Sequence, residues 1–289
     1  MAVRFATCVS GGRSWTRLAV VVMTAAVTTG VCHGEEDALR LSWKRDILTI
    51  RSDRLPGGKV DVWYLEAFCR RGSTDRDWRQ TVIPFKTQQV AADPVGRWVK
   101  LETVVDGKVE ISHEIRSGTD EVAFKLELVN KSAQPVDVDW AQPCMRVGAF
   151  TGRGQDDYFE KCFIFTEKGL VRMHQTHRET RARYVPGQVY VPKGIDLNDV
   201  NPRPISKTRP VNGLVGCFSA DERMILAMAW DHTQELFQGV IVCIHSDFRI
   251  GGLKAGERKR LRGKIYLVPN DVEKLLDRYR RDFPPGPRF

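Results

Sequence analysis

Between residues 107 and 138 apolar and polar side chains alternate one by one, and turn-forming residues interrupt the alternation at two points. In the first run Val109, Ile111, His113 and Ile115 fall on one side, with Lys108, Glu110, Ser112 and Glu114 on the other. A period of two with one apolar side is the signature of a strand that has one buried face and one wet face. Ser117, Gly118, Thr119 and Asp120 then turn the chain, and the alternation resumes with Val122, Phe124, Leu126 and Leu128. A second turn, rich in Asn, Ser and Pro, occupies 130–135. Consecutive strands joined by such short turns predict an antiparallel meander packed on one face.

The same reading along the chain predicts strands at 39–43, 47–51, 60–68, 98–105, 109–116 and 122–129, an extended piece at 136–142, and a hairpin of 159–166 with 170–173. Strands return at 214–218, 224–230, 239–245 and 260–268. Between them lies a stretch without periodicity, 175–212, which carries Pro186, Pro192, Pro202, Pro204 and Pro210. A structureless loop of that length is unusual in a compact domain. Its content of Tyr184, Tyr190, Val189, Val191, Ile195 and Leu197 is too apolar for a linker, so an ordered excursion over a sheet is expected. The chain closes on a helix over 271–282, with Asn270 as cap, Glu273 completing a capping box, and Val272, Leu275, Leu276 and Tyr279 as its apolar stripe. The expectation is an all-β protein: one large antiparallel β-sandwich over 35–289, with a long central loop and a short C-terminal helix.

Charge and the N-terminus then place this domain. Arg4, Arg13 and Arg17 precede an apolar stretch over 18–31, and no acid occurs before Glu35. That is the layout of a secretory signal over 1–34, and the expected location is secreted or periplasmic. An uncleaved anchor and lipid attachment at Cys32 are the alternatives. The apolar stretch is short for a membrane span, and no later segment resembles one. Loss of three arginines and no acid lowers the formal charge from +9 to +6. The densest basic run, Lys254 to Lys264, alternates along a predicted strand and reads as a solvated edge or outer face, or else as a patch for an anionic polymer. No nucleic-acid module is found, so the expected partner is a carbohydrate or anionic polysaccharide. Five cysteines remain, too few and too odd in number for a disulfide scaffold, although one or two bridges stay open.

Three groups of residues carry candidate chemistry. If the strand at 239–245 continues, Cys243, His245, Asp247 and Arg249 share one side, so an apolar strand ends in a histidine, a carboxylate and a guanidinium. Such a row suits sugar binding or proton exchange, with His245 and Asp247 as acid and base. At the entry to the long loop, His174, His177, Arg181 and Arg183 form a second group. His174 is a further acid–base candidate, and His177 and the arginines suit carboxylates or sulfates. The spacing of the two histidines would suit a metal only on a helix, which their neighbours do not favour. No metal and no cofactor are expected. Aromatic faces for sugar stacking are sought in Trp230 and Tyr190.

The stretch EVAFKLELVNKSAQPVDV (121–138) resembles the central strands of galactose-mutarotase-like supersandwich domains, and GERKRLRGKIYLV (256–268) resembles a late core strand of that class. The chain as a whole is also similar to secreted bacterial proteins. The resemblance implies a supersandwich architecture and a carbohydrate ligand. Epimerases of the class use a histidine and a glutamate, but no stretch here reproduces their motifs, so neither role is carried over. Three functions follow as expectations: carbohydrate binding first, then a sugar epimerase or polysaccharide lyase, then a structural envelope or interaction protein.

Overall fold

The computed structural model describes residues 38–284; the expected targeting segment and Cys32 lie outside them. Strands β1 (Arg40–Lys44), β2 (Ile47–Arg51), β3 (Lys59–Cys69), β8 (Trp140–Arg146), β15 (Cys243–Arg249), β14 (Thr233–Gln238) and β11 (Gln188–Tyr190) lie in that order in a seven-stranded sheet. The second sheet has nine, in the order β10 (Gly169–Arg172), β9 (Cys162–Thr166), β12 (Val215–Phe218), β13 (Met224–Trp230), β16 (Arg258–Pro269), β7 (Glu121–Asn130), β6 (Val109–Ser117), β5 (Trp98–Val105) and β4 (Phe85–Ala92). Neighbouring strands run antiparallel throughout. The molecule is the all-β sandwich that the alternation predicts.

Local chemistry explains the meander β4–β7. The β5–β6 turn falls on Asp106 and Gly107, both with positive φ (51° and 64°), the left-handed backbone that favours a tight hairpin, and Lys108 N closes it on Val105 O at 3.0 Å. Val109, Ile111, His113 and Ile115 are all buried, and Glu110, Ser112 and Arg116 are exposed. His113 belongs to the core and not to a site. Its Nδ1 lies 2.9 Å from the Tyr64 hydroxyl on the opposite sheet and its Nε2 lies 2.9 Å from Thr103 Oγ1. Burial pushes its pKa down to about 3, so the ring is neutral and ties the sheets together by hydrogen bonds alone.

Between the sheets one apolar cluster runs the length of the sandwich, and Trp230 sits at its centre. The indole packs 4.3 Å from the Phe248 ring and 5.3 Å from Phe124, and lies parallel to Tyr64 at 6.4 Å. Gly263 pairs with Trp230 across β13 and β16, and a Cβ there would stand 2.4 Å from an indole carbon. Glycine is required at this position by space.

The expected C-terminal helix is present over Val272–Asp282, but Asp271 caps it, accepting from Lys274 N at 3.1 Å, while Asn270 turns away to Glu222 O. Its stripe of Val272, Leu275, Leu276 and Tyr279 covers Phe163, Phe218 and Tyr266 on the outer side of the nine-stranded sheet. The basic run lies on β16, which is paired on both sides and is therefore a central strand, not an edge. Two strands escaped prediction. At the edge of its sheet β4 is exposed on one face and only half-buried at Phe85, Thr87 and Ala91 on the other, and its sequence FKTQQVAA is too polar on that face to alternate clearly. Almost all of β14, TQELFQ, is buried despite its polar composition.

Gly263→Ala is expected to lower the stability of the fold by ~1–3 kcal/mol, the usual cost of overpacking a filled core. Chemical denaturation would measure it; an unchanged midpoint would mean that the indole has room to move.

Candidate functional site

Ile244 and Phe248 of β15 point into the inter-sheet core, so Cys243, His245, Asp247 and Arg249 necessarily point to the opposite face. On that outer face the cross-strand partners of Asp247 and His245 are Glu235 and Phe237, which explains the buried polar composition of β14. Glu66 joins from β3, where the register shifts between Trp63 and Ala67. The long stretch 175–212 lies over part of this surface: Val189, Val191 and Val200 pack with Phe237, and Asn201 N donates to Glu235. The row predicted on β15 is real, and it is buried. His245 is 2% exposed and Asp247 0%.

Arg249 is the hinge of the arrangement. Its guanidinium donates to Gln234 Oε1 at 2.6 Å and lies 3.3 Å from Asp199 and 3.4 Å from Asp139. Asp199, from the long loop, also accepts from Gly72 N at 2.7 Å, so the loop is pinned to two separate parts of the sheet. Arg71 approaches Asp139 from the surface at 3.5 Å. With two arginines nearby Asp139 would ordinarily be a strong acid. Burial and the neighbouring Asp199 carboxylate outweigh them and push its pKa up to about 6.

Deeper in, His245 Nδ1 faces Asp247 at 3.5 Å, and its Nε2 lies 3.2 Å from Cys243 Sγ and 3.9 Å from Glu66 Oε2. Burial disfavours the imidazolium, but the Cys144 sulfur and the Asp247 carboxylate hold the basicity of His245 above its ordinary value. Burial beside Asp247 raises Glu235 strongly, and burial raises Asp247 to about 6. Too many acids share too little positive charge here, and the pair responds by retaining protons. Several buried atoms have no hydrogen-bond partner: Glu66 Oε2, His245 Nδ1, both Asp247 oxygens and both Asp139 oxygens. Sulfur, nitrogen and carboxylate donors converge at this point, with those of Cys144, Cys243 and His245 within 4.8 Å of one another. All five cysteines of 35–289 are free and buried.

The other candidates lie elsewhere. Trp230 is 1% exposed in the inter-sheet core, where Phe248, Phe124 and Tyr64 take up its faces, so it offers none to a sugar. Tyr190 is likewise buried; its hydroxyl bonds Thr176 Oγ1 at 2.8 Å, and burial raises its pKa to about 12. His177 anchors the loop, accepting from Lys207 N at its Nδ1 and from Ser206 Oγ at its carbonyl. His174 stands exposed on the 3-10 turn Met173–Gln175 and makes no hydrogen bond to the His245 group. Arg181 and Arg183 do come together with Arg203, Glu179, Asp75 and Thr74 around a cavity of about 300 Å³ between the long loop and the segment after β3. Arg203 stacks on Tyr184 at 5.4 Å and faces Glu66 electrostatically, and Arg183 donates to Asp75 O at 2.9 Å. Most of the basic run of β16 is paired with carboxylates: Arg258 and Arg260 share Glu127, Arg262 pairs with Asp231, and Lys264 with Glu121 and Asp282.

No protein-family model and no curated protein sequence matches the chain. Among solved structures the chain is similar to an α-N-acetylgalactosaminidase from Bifidobacterium bifidum, with TM-score 0.49 and 10% identity over 86% of this chain and 38% of that one. It is similar also to a galactose mutarotase-like protein from Lactobacillus casei, with TM-score 0.38 and 8% identity over 79% of this chain and 99% of that one. A third is a galactose 1-epimerase from Lactobacillus acidophilus, with TM-score 0.33 and 8% identity over 81% of this chain and 98% of that one. The likeness is one of sheet architecture.

Arg249→Ala leaves Asp199 and Asp139 buried without their guanidinium, and a loss of ~3–5 kcal/mol is expected; thermal melts that match the wild type would remove Arg249 from its structural role. A pH effect follows from Asp139. Its folded pKa of about 6 exceeds the unfolded value of 3.8, so the folded state holds the proton more tightly. Its contribution to stability is therefore present below pH ~4 and lost as pH rises to ~6. In Asp139→Asn, still facing Arg249, Arg71 and Asp199, the stability difference from wild type should change across that window; denaturant midpoints at pH 4 and pH 6.5 that run parallel in the two proteins would refute it.

Proposed function

We propose that the protein is a secreted or periplasmic carbohydrate-associated sandwich that binds an acidic sugar unit in the arginine-lined cavity beside the long loop. The observation that carries this reading is the convergence of Arg181, Arg183 and Arg203 on one cavity of about 300 Å³. That volume is at the small end of ligand sites and suits one or two sugar rings. Guanidinium forks bind carboxylates and sulfates in two-point fashion, and Arg181, 93% exposed, has a fork that is free to reorient toward a ligand. Beside Arg181, Glu179 lies 3.8 Å from its Nε and accepts the backbone N–H groups of Thr180 and Arg181 through the same oxygen, so its carboxylate is fixed in the cavity lining. A carboxylate there accepts sugar hydroxyls.

Burial weighs against the reading of His245 and Asp247 as a sugar epimerase or lyase pair, since a substrate would have to pass beneath the loop to reach them. Docking of the protein to an anionic surface through β16 is weakened by the carboxylate partners of its basic side chains. Calorimetric titration of oligogalacturonate, a sulfated oligosaccharide and a neutral glucan tests the reading. An acidic ligand should bind with salt-dependent affinity, and Arg183→Ala or Arg203→Ala should weaken it ~10-fold or more. Equal affinity for the neutral glucan, or no heat with either acidic ligand, would exclude it.

A further inference from the structure

We infer that Cys144, Cys243 and His245, with Glu66 as a fourth ligand, form a zinc site on the outer face of the seven-stranded sheet. The ligands come from three adjacent strands, Glu66 on β3, Cys144 on β8, and Cys243 and His245 on β15. The β8–β15 register sets Cys243 opposite Arg146 and Ile244 opposite Met145, so the next position brings His245 opposite Cys144. Residues 243 and 245 lie on one side of their strand, and two sulfurs and an imidazole nitrogen meet at one point, all three donors within 4.8 Å of one another. Cys243 Sγ lies 3.2 Å and Glu66 Oε2 lies 3.9 Å from His245 Nε2. Tetrahedral zinc, with Zn–S ~2.3 Å and Zn–N ~2.0 Å, holds its ligand atoms ~3.3–3.8 Å apart, so loading the site draws the donors together by up to ~1 Å.

Two further observations, on Glu66 and on Asp247, point to a cation at this place, and two more show how the ligands are held. Glu66 Oε2 is buried and unpartnered, although the Glu66 side chain as a whole is 29% exposed, which leaves the carboxylate a route from the surface. Behind the imidazole, Asp247 stands 3.5 Å from Nδ1 with both oxygens buried and unpartnered, the carboxylate–histidine relay that orients a metal-bound imidazole. The ring plane is set by Phe237, whose ring meets it edge-on at 5.1 Å and 89°. Gly239 closes over the sulfur of Cys243: a Cβ there would stand 2.2 Å from Sγ. Two sulfurs with one nitrogen and one oxygen favour zinc over magnesium or calcium. The bound metal replaces the two thiol protons and the proton that a charged His245 carries on Nε2; these leave to solvent, and no redox change is involved. The arginine-lined cavity adjoins this place through Arg203, which faces Glu66, but none of its arginines is a ligand, so zinc content tests the site whether or not a sugar binds there.

The test is metal analysis of the purified full chain, kept under reducing conditions, loaded with Zn2+ and freed of excess by gel filtration. About one zinc per chain is expected, and Co2+ in its place should show sulfur-to-cobalt charge-transfer absorption. Cys144→Ser with Cys243→Ser should abolish both signals. Asp247→Asn should retain the spectrum and weaken the metal ~10–100-fold in chelator competition, an effect of positioning and not of ligation. Circular dichroism checks that each variant is folded; if the double variant is not, the cobalt spectrum of the wild-type chain decides alone. Wild-type protein that is folded yet binds less than ~0.1 zinc per chain overturns the site. So does full zinc retention in the folded double serine variant, and so does an intact mass, before reduction, lower by two hydrogens with Cys144 and Cys243 mapped to one disulfide.

Discussion

The structure turns on the burial of both faces of one sheet. The inner face of the seven-stranded sheet packs on Trp230, Phe124 and their neighbours, as in any sandwich. Its outer face would ordinarily meet water, but the long stretch 175–212 lies over part of it and brings Asp199 and Asn201 onto the ends of β14 and β15. Every polar side chain trapped there must find a partner or retain a proton. Arg249 resolves the mouth of this region by gathering Asp139, Asp199 and Gln234. Asp139 keeps arginines at 3.4 and 3.5 Å although neither of its oxygens is hydrogen-bonded, whereas around His245 the equally unpartnered oxygens of Asp247 face an imidazole at 3.5 Å instead.

That contrast separates the structural from the functional in one row of side chains. Arg249 is held by three groups and holds the loop; it works as a fastener. His245, two residues along the same face, is approached by a carboxylate on one nitrogen and by two sulfurs and a second carboxylate near the other. Burying such donors costs free energy that a protein without a use for them avoids by substituting apolar residues. The arginine-lined cavity shows the opposite economy. Arg181 projects into solvent, and only fragments of its neighbours' hydrogen-bonding capacity are used within the chain. Ligand recognition at the surface and ligand fixation in the interior thus occupy different sides of the same loop.

The alternation of side chains located nearly every strand, because a strand with one wet face carries its geometry in its own composition. It failed at β4, whose inner face is only half-buried, and at β14, whose polar face is buried. At β14 the loop overrides the rule that polar residues face water. The row Cys243, His245, Asp247 and Arg249 was likewise legible, since period two dictates which residues of one strand share a side. Asp139, Asp199, Cys144 and Arg203 were not, for they reach the two sites from other strands and from the loop. Trp230 and Tyr190 illustrate the converse: an aromatic residue has the same signature in sequence whether it faces a sugar or a core.

What the chain determined by itself is therefore local: the strands, the Asp106–Gly107 hairpin, the amphipathic closing helix, and the sidedness of each element. These follow from φ/ψ preferences and from a period of two or 3.6, which need no partner. Tertiary structure alone decided which face of the seven-stranded sheet the loop would cover. It thereby moved His245 from a strand mouth into the interior, placed Cys144 opposite it, and put Arg203 beside Arg181 and Arg183. The physical reason is that charge and reactivity depend on solvent access and on neighbours 50 to 179 residues away along the chain (249 − 199 and 245 − 66), and only the assembled sheets bring those neighbours to within 4 Å.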